Sequence, residues 1–307
     1  MTRPDVGFRI LALATALAAW ALVVVGGVVR VTESGLGCPQ WPLCTSRAIP
    51  LDQTASFIEY SHRAVVAVVI ALVVVVAIWA WRRYRSRPDI LLPALAAVVL
   101  VPLQAILGAV AVWLELPGWV VAFHLVVGML FLATTVVAAA AAWRSPRRAA
   151  TPGFAVLARA SVLVGLMLVV VGSTVVAVDA DTACGSQWPA CGGGFVAAGS
   201  DAAIQVAHRM LAYTLAGLAL ALLVLAARNR GPVLAGCLPF LAVLAQIGFG
   251  IGIVLAGGSG RTHEILAGLH VAGSGAVWAS LVALATLAVP ATSPSRAGVL
   301  AAPARAR

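Results

Sequence analysis

Residues 57–81 read FIEYSHRAVVAVVIALVVVVAIWAW, an apolar stretch with Glu59, His62 and Arg63 near its start. The stretch exceeds the roughly 20 apolar residues that an α-helix needs to cross the hydrocarbon core of a bilayer. Ionisable side chains inside a membrane are costly, so they usually face the interior of a helix bundle and mark a functional site. This segment therefore predicts a transmembrane helix that carries functional residues.

Comparable apolar runs cover nearly the whole chain. With 62% hydrophobic and 10% charged residues, the composition excludes a soluble domain. The first run is long for a signal peptide and belongs to an internal repeat, so we expect it to be retained. We predict an all-α integral membrane protein with eight transmembrane helices, over residues 8–30, 57–81, 90–114, 119–143, 154–178, 202–227, 232–256 and 263–289.

Scarce polar residues of the first half recur 146 residues later in the second half. They are His62 and His124, which recur as His208 and His270, and Gly26, Glu33 and Cys38, which recur as Gly172, Asp179 and Cys184. The pattern predicts two tandem four-helix bundles, residues 1–148 and 149–307, formed by duplication. Because each unit has an even number of helices, both units have the same orientation, so the duplication is parallel.

Arginine sets the orientation in the membrane, since the chain has no lysine. Arginines follow the even-numbered helices and flank both ends of the chain, whereas the alternate loops are acidic. The positive-inside rule then places both termini in the cytoplasm. We read the net charge of +10 as a topology signal with contact to anionic lipid, and predict no nucleic-acid partner. The arginines are Arg3, Arg9, Arg82, Arg83, Arg85, Arg87, Arg144, Arg147, Arg148, Arg228, Arg230, Arg296, Arg305 and Arg307, and the acidic residues are Glu33, Asp52, Glu115, Asp179, Asp181 and Asp201.

Each repeated histidine lies near the outer start of an even-numbered helix, so the two histidines of one unit have similar depth. Two histidines on facing helices of a bundle can bind haem between them. The alternative, a histidine hydrogen-bonded across helices, explains one such residue better than two equally spaced pairs. Zinc or copper is less favoured, because no further carboxylate or thiolate lies at that depth. His263 has no counterpart, and we expect it to be solvated at the interface.

The two units differ beside the first histidine. Glu59 precedes His62 by three residues and shares its helix face, whereas Gln205 occupies the equivalent position before His208. A carboxylate can act as a base and an amide cannot. The first unit is therefore suited to acid–base chemistry and the second to electron transfer. The alternative for Glu59 is a solvated interfacial acid paired with Arg63.

Arg63 and Arg209 directly follow their histidines, and we predict that they contact haem propionates at the outer surface. Snorkelling to the interface is compatible with that role. Two further polar residues, Gln104 and Gln246, lie within spans three and seven, where we expect hydrogen bonds between helices.

Cysteine pairs lie in two outer loops, outside the reducing cytoplasm. We expect the disulfides Cys38–Cys44 and Cys184–Cys191. The loops differ in length by one residue, so their geometries need not match. For the first pair two roles stay open, stapling of the loop and redox delivery to the side that carries Glu59. Cys237 in span seven is expected to be buried packing.

The Glu59-x-x-His62-Arg63 motif, the four spaced histidines and the paired outer cysteines together resemble haem A synthase, the Cox15/CtaA family, in its cysteine-bearing bacterial form. The resemblance covers all eight predicted spans. It implies an oxidoreductase that converts haem O to haem A for cytochrome oxidase. In that reaction the C8 methyl group of the porphyrin is oxidised to a formyl group by successive hydroxylations, through a hydrated aldehyde that loses water.

The resemblance also implies a role for each unit. His62 and His124 would hold the substrate haem O in the N-terminal unit, with Glu59 as the catalytic carboxylate. His208 and His270 would ligate the iron of a haem B cofactor in the C-terminal unit.

A bacterial plasma membrane is the expected location, with the chain spanning it several times. Haem O synthase and cytochrome oxidase assembly factors are the expected partners, and a homo-oligomer is compatible with the sequence. Two alternatives remain: a di-haem electron carrier, and a haem transporter or chaperone. Glu59 discriminates between them and the enzyme, because a carrier does not need a carboxylate beside one haem only.

Overall fold

The computed structural model describes residues 3–42, 44, 53–144, 150–192, 194–195, 199–228, 233–257 and 259–288. Within these ranges the regular structure is helical, apart from isolated bridge residues such as the pair Cys191 and Gly194. The long helices are α1 (Val6–Val31), α2 (Thr54–Arg83), α3 (Pro88–Trp113), α4 (Gly118–Trp143), α5 (Pro152–Ala177), α6 (Ser200–Arg228), α7 (Val233–Ala256) and α8 (Arg261–Leu287).

Each predicted span coincides with one of these helices, and all of them are long and apolar enough to cross a membrane. The prediction of an all-α membrane protein with eight spans is confirmed. Two helices, α1 and α5, begin before the apolar run where a polar residue caps them. Asp5 accepts a hydrogen bond from the Phe8 amide at 2.8 Å, and the Thr151 hydroxyl accepts one from the Phe154 amide. Hydropathy alone does not register such first turns.

Some predicted features lie outside the described residues. They are the unit boundary at residues 148 and 149, the span ends 232 and 289, Asp52, and the arginines Arg147, Arg148, Arg230, Arg296, Arg305 and Arg307. Among the described arginines, Arg82 and Arg83 end α2 at the opposite end of the helix from His62.

The eight helices pack as two closed rings. In the first, α1 and α3 each contact α2 and α4; in the second, α5 and α7 each contact α6 and α8. The rings meet where α8 packs on α1 and α4, and where α4 packs on α5. These contacts are symmetric between the halves. When each helix is replaced by its counterpart in the other half, the contact of α1 with α8 becomes that of α5 with α4, and the contact of α4 with α8 is unchanged. The origin of the two halves by duplication stays a prediction.

Close packing and a buried tryptophan join the rings. The α1 backbone at Gly27 lies against Val271 of α8, where an added Cβ would be 2.7 Å from the valine Cγ1. Trp278 of α8 donates from Nε1 to the Met129 carbonyl of α4 at 2.7 Å, and this indole is buried. Small residues permit such close approach, and a buried indole N–H requires a partner. The rings are thus fixed against each other along the helices that carry His124 and His270.

Candidate functional site

His208 and His270 face each other across a cavity in the second ring. Their ring centres are 6.2 Å apart and the ring planes are inclined by 56°. An imidazole nitrogen binds a metal at about 2 Å and the ring centre lies about 1 Å beyond it, so two ligands on opposite sides of a metal have ring centres roughly 6 Å apart. The cavity has a volume of about 750 Å³ and both histidines line it. The pair therefore fits a flat metal-containing group held between two imidazoles.

In the first ring His62 lies on α2 and His124 on α4, the counterparts of α6 and α8. In both rings a glutamine of the preceding helix holds the backbone beside the second histidine. Gln104 donates from Nε2 to the His124 carbonyl at 3.1 Å, and Gln246 donates to the His270 carbonyl at 2.7 Å. Hydrogen bonding between helices was expected for both glutamines. That the acceptor is the histidine carbonyl in both rings is visible only in the three-dimensional structure.

The histidine side chains are not explained by hydrogen bonding across helices. Nδ1 of His62, His124, His208 and His270 is buried in each case and has no hydrogen-bond partner in the described part of the protein. Within that part, no group of three or more His, Cys, Asp or Glu side chains could hold a metal ion. Any metal would have to bring its remaining ligands with it, as the iron of a porphyrin does.

Glu59 of α2 is buried beneath the loop that joins α1 to α2, and 4% of its surface is exposed. Its Oε2 accepts a hydrogen bond from the Cys38 amide at 2.7 Å, and its Oε1 pairs with the Arg63 guanidinium. Arg63 also donates to the carbonyls of Gln40 at 2.6 Å and Cys38 at 3.1 Å. The partner named in the alternative interpretation, Arg63, is present, but the carboxylate is buried and not solvated. The ion pair and the amide together satisfy the buried charge.

The equivalent residues of the second ring carry a different charge. Gln205 donates from Nε2 to the Asp181 carbonyl at 2.8 Å. Arg209 donates from Nη1 to the carbonyls of Gln187 at 2.9 Å and Ala190 at 2.8 Å. Its Nη2 is buried with no hydrogen-bond partner among the described residues, and Arg209 lines the cavity. Among the described residues, the first ring thus pairs a guanidinium with a carboxylate, whereas the Arg209 guanidinium of the second ring forms no ion pair.

The loops after α1 and after α5 are each closed by a disulfide, Cys38–Cys44 and Cys184–Cys191. The first disulfide is directly linked to Glu59, because Cys38 supplies the amide that the carboxylate accepts. The second loop is one residue longer. In addition to the disulfide, Cys191 and Gly194 exchange a pair of backbone hydrogen bonds. Cys237 of α7 is unpaired and half-buried.

His263 corrects an expectation. We expected it to be solvated, but only 16% of its side chain is exposed, and its Nε2 lies 3.8 Å from Asp181 Oδ2. It lines the same cavity as His270, and its Nδ1 is buried without a partner in the described residues. The sequence contained a usable signal, since seven residues separate His263 from His270 and so place both on one helix face. No histidine of the first half corresponds to His263, so the repeat pattern did not single it out.

The chain is similar to a family described as COX15-CtaA, cytochrome oxidase assembly protein, which matches residues 9–282. It is also similar to the haem A synthase of Shouchella clausii, with 31% identity over 266 residues, which covers 81% of this chain and 87% of the relative. The haem A synthase of Halalkalibacterium halodurans is 30% identical over 261 residues, with the same coverage of 81% and 87%. That of Exiguobacterium sibiricum is 32% identical over 197 residues, covering 62% of this chain and 65% of the relative.

Proposed function

Since this chain belongs to the COX15-CtaA family of cytochrome oxidase assembly proteins, we propose that its two rings divide one reaction between a catalytic site and a cofactor site. The protein is a multi-pass membrane oxidoreductase that converts haem O to haem A. The N-terminal unit, residues 1–148, holds haem O and oxidises it. The C-terminal unit, residues 149–307, holds a haem B cofactor.

The cofactor assignment is carried by the spacing of His208 and His270. Their ring centres, 6.2 Å apart across a cavity of about 750 Å³, would allow both imidazoles to hold the iron of one haem. Arg209 adds a buried Nη2 that has no partner among the described residues and can donate to a haem propionate. The bound haem supplies one-electron chemistry. The protein supplies the two imidazoles, the guanidinium and an apolar surrounding.

The catalytic assignment places haem O between His62 and His124, with Glu59 as the proton acceptor. Oxidation of a methyl group to a formyl group releases protons, and a positioned carboxylate can accept them. Cys38 and Arg63 hold both oxygens of Glu59 in fixed directions, which fixes its place on the same helix as His62. Arg63 is the donor we assign to a propionate of haem O, in parallel with Arg209.

The activity is tested by expressing the chain together with a source of haem O and extracting the pigments. We expect haem A to appear with this chain and to be absent without it. A di-haem electron carrier, or a haem transporter or chaperone, would leave haem O unchanged in the same experiment.

The location we propose is a bacterial plasma membrane, with both termini in the cytoplasm and the histidine ends of the helices at the outer face. Haem O synthase and cytochrome oxidase assembly factors are the proposed partners, and a homo-oligomer is compatible with this arrangement. The support for the orientation is the placement of the arginines at the opposite helix ends, as for Arg82, Arg83 and Arg228.

Cys38 and Cys44 are expected to be disulfide-bonded in protein isolated without reductant, because a loop at the outer face is exposed to an oxidising environment. The measurement is mass spectrometry after thiol blocking under denaturing conditions. Cys237 is the internal control, since it is unpaired and should carry the blocking group. Blocking of both Cys38 and Cys44 in native membranes would contradict the disulfide and the proposed orientation together.

A further inference from the structure

Each of the four repeated histidines packs its ring against a glycine of the preceding helix. An added Cβ on the glycine would lie 3.0 to 3.6 Å from Cε1 of the ring. The pairs, with these distances, are Gly26 and His62 at 3.3 Å, Gly108 and His124 at 3.6 Å, Gly172 and His208 at 3.0 Å, and Gly250 and His270 at 3.4 Å.

These contacts differ from ordinary helix packing at glycine. Around each of the four positions, the atoms within 4 Å of an added Cβ belong to the histidine ring alone. Other helical glycines face aliphatic, aromatic, amide or backbone atoms, as Gly27 faces Val271, or face open space, as Gly248 does. The recurrence of one specific contact at four positions, on four different helix pairs, indicates a shared role.

The shared role is indicated by a hydrogen bond that the four imidazoles do not make within the described residues. A metal-binding histidine usually donates its second ring N–H to a carboxylate, a carbonyl or water, and this bond fixes the direction of the ring. Here Nδ1 of all four histidines is buried and has no hydrogen-bond partner among the described residues. The direction of each ring must therefore be fixed by packing.

We propose that the four glycines are positioning residues for the haem ligands. Each glycine lets the imidazole lie against the backbone of the neighbouring helix, which buries Nδ1 and leaves Nε2 as the ligating nitrogen. The contact takes the place of the usual hydrogen bond in setting the rotation of the ring. This inference rests on the proposed function, because it takes the histidines as haem ligands.

The contact distances predict a graded effect at the cofactor site. An added methyl group at Gly172 meets the His208 ring at 3.0 Å, so the ring must move by a few tenths of an ångström. At Gly250 the contact with His270 is 3.4 Å and the required movement is smaller. Gly248 is the matched control, because it lies on the same helix as Gly250 and has no atom within 4 Å of an added Cβ. Alanine favours a helix over glycine, so none of the three changes should impair folding through helix propensity.

The experiment compares Gly172→Ala, Gly250→Ala and Gly248→Ala with the parent protein, purified with its resident haem. Electron paramagnetic resonance of the ferric form reports the relative orientation of the two axial imidazoles, and absorbance reports retained haem. We expect shifted g-values and partial loss of haem in Gly172→Ala, a smaller shift in Gly250→Ala, and a spectrum identical to the parent in Gly248→Ala.

The possible failures are distinguishable. A parent protein without a low-spin bis-histidine spectrum would overturn the proposed cofactor site. A normal parent spectrum that is unchanged in both Gly172→Ala and Gly250→Ala would overturn the positioning role alone. If Gly172→Ala does not accumulate in the membrane, Gly250→Ala decides the question against Gly248→Ala.

Discussion

Glu59→Gln is expected to lower the rate of haem A formation by about 10²–10⁴-fold, the usual contribution of a positioned acid–base group. The change keeps the shape of the side chain, removes its charge and leaves His62 and His124 in place, so haem O should still bind. Haem O, or a partly oxidised hydroxymethyl form, should accumulate in extracted pigments. A normal rate of haem A formation would show that Glu59 is not catalytic.

The surroundings of Glu59 require a control for this experiment. Both of its oxygens accept hydrogen bonds from donors, Cys38 and Arg63. A glutamine would direct its NH₂ group towards one of these donors, and such a mismatch costs about 1–3 kcal/mol when buried. Thiol blocking of the variant shows whether the Cys38–Cys44 disulfide is intact. If it is, the lost activity is due to the missing base and not to a disturbed loop. Gln205→Glu in the variant background should not restore activity, since the carboxylate would then lie in the other ring.

Replacement of either cofactor ligand should remove the resident haem. His208→Ala and His270→Ala each take one of two axial ligands from the iron, and the remaining single imidazole binds far more weakly. The measurement is the absorbance spectrum of the purified variants. His263→Ala is the matched control, because His263 lines the same cavity but lies two helical turns from His270, beside Asp181. A six-coordinate low-spin haem B spectrum in both ligand variants would refute the assignment of haem B to the second ring.

The fold was largely predictable because one physical rule dominates a membrane chain. A span must be helical to satisfy its backbone, so length and hydropathy suffice to locate all eight helices. The helix starts at Asp5 and Thr151 were less predictable, since capping depends on single polar residues outside the apolar run. The packing of α4 against both α5 and α8 could not be derived from hydropathy, which does not report which apolar faces meet.

The site was predictable where it depends on spacing along one helix and less so where it depends on loops. Glu59, His62 and Arg63 share α2, and their proximity follows from helix geometry. The bond from Cys38 to Glu59 joins a loop to a helix across 21 residues of chain, and no periodic pattern encodes it. The contact of His263 with Asp181 likewise joins α8 to the loop between α5 and α6, which is distant in sequence.

The way in which the rings meet has a consequence for how their chemistries can diverge. The contact pattern between the halves is that of an isologous dimer, in which each subunit presents the same surface to the other. These contacts run through α1, α4, α5 and α8, whereas Glu59 and Gln205 lie on α2 and α6. A substitution on α2 or α6 can therefore change the chemistry of one ring and leave the dimer-like surface intact. One covalent chain can in this way behave as a heterodimer of two specialised subunits, with no need to evolve a new interface.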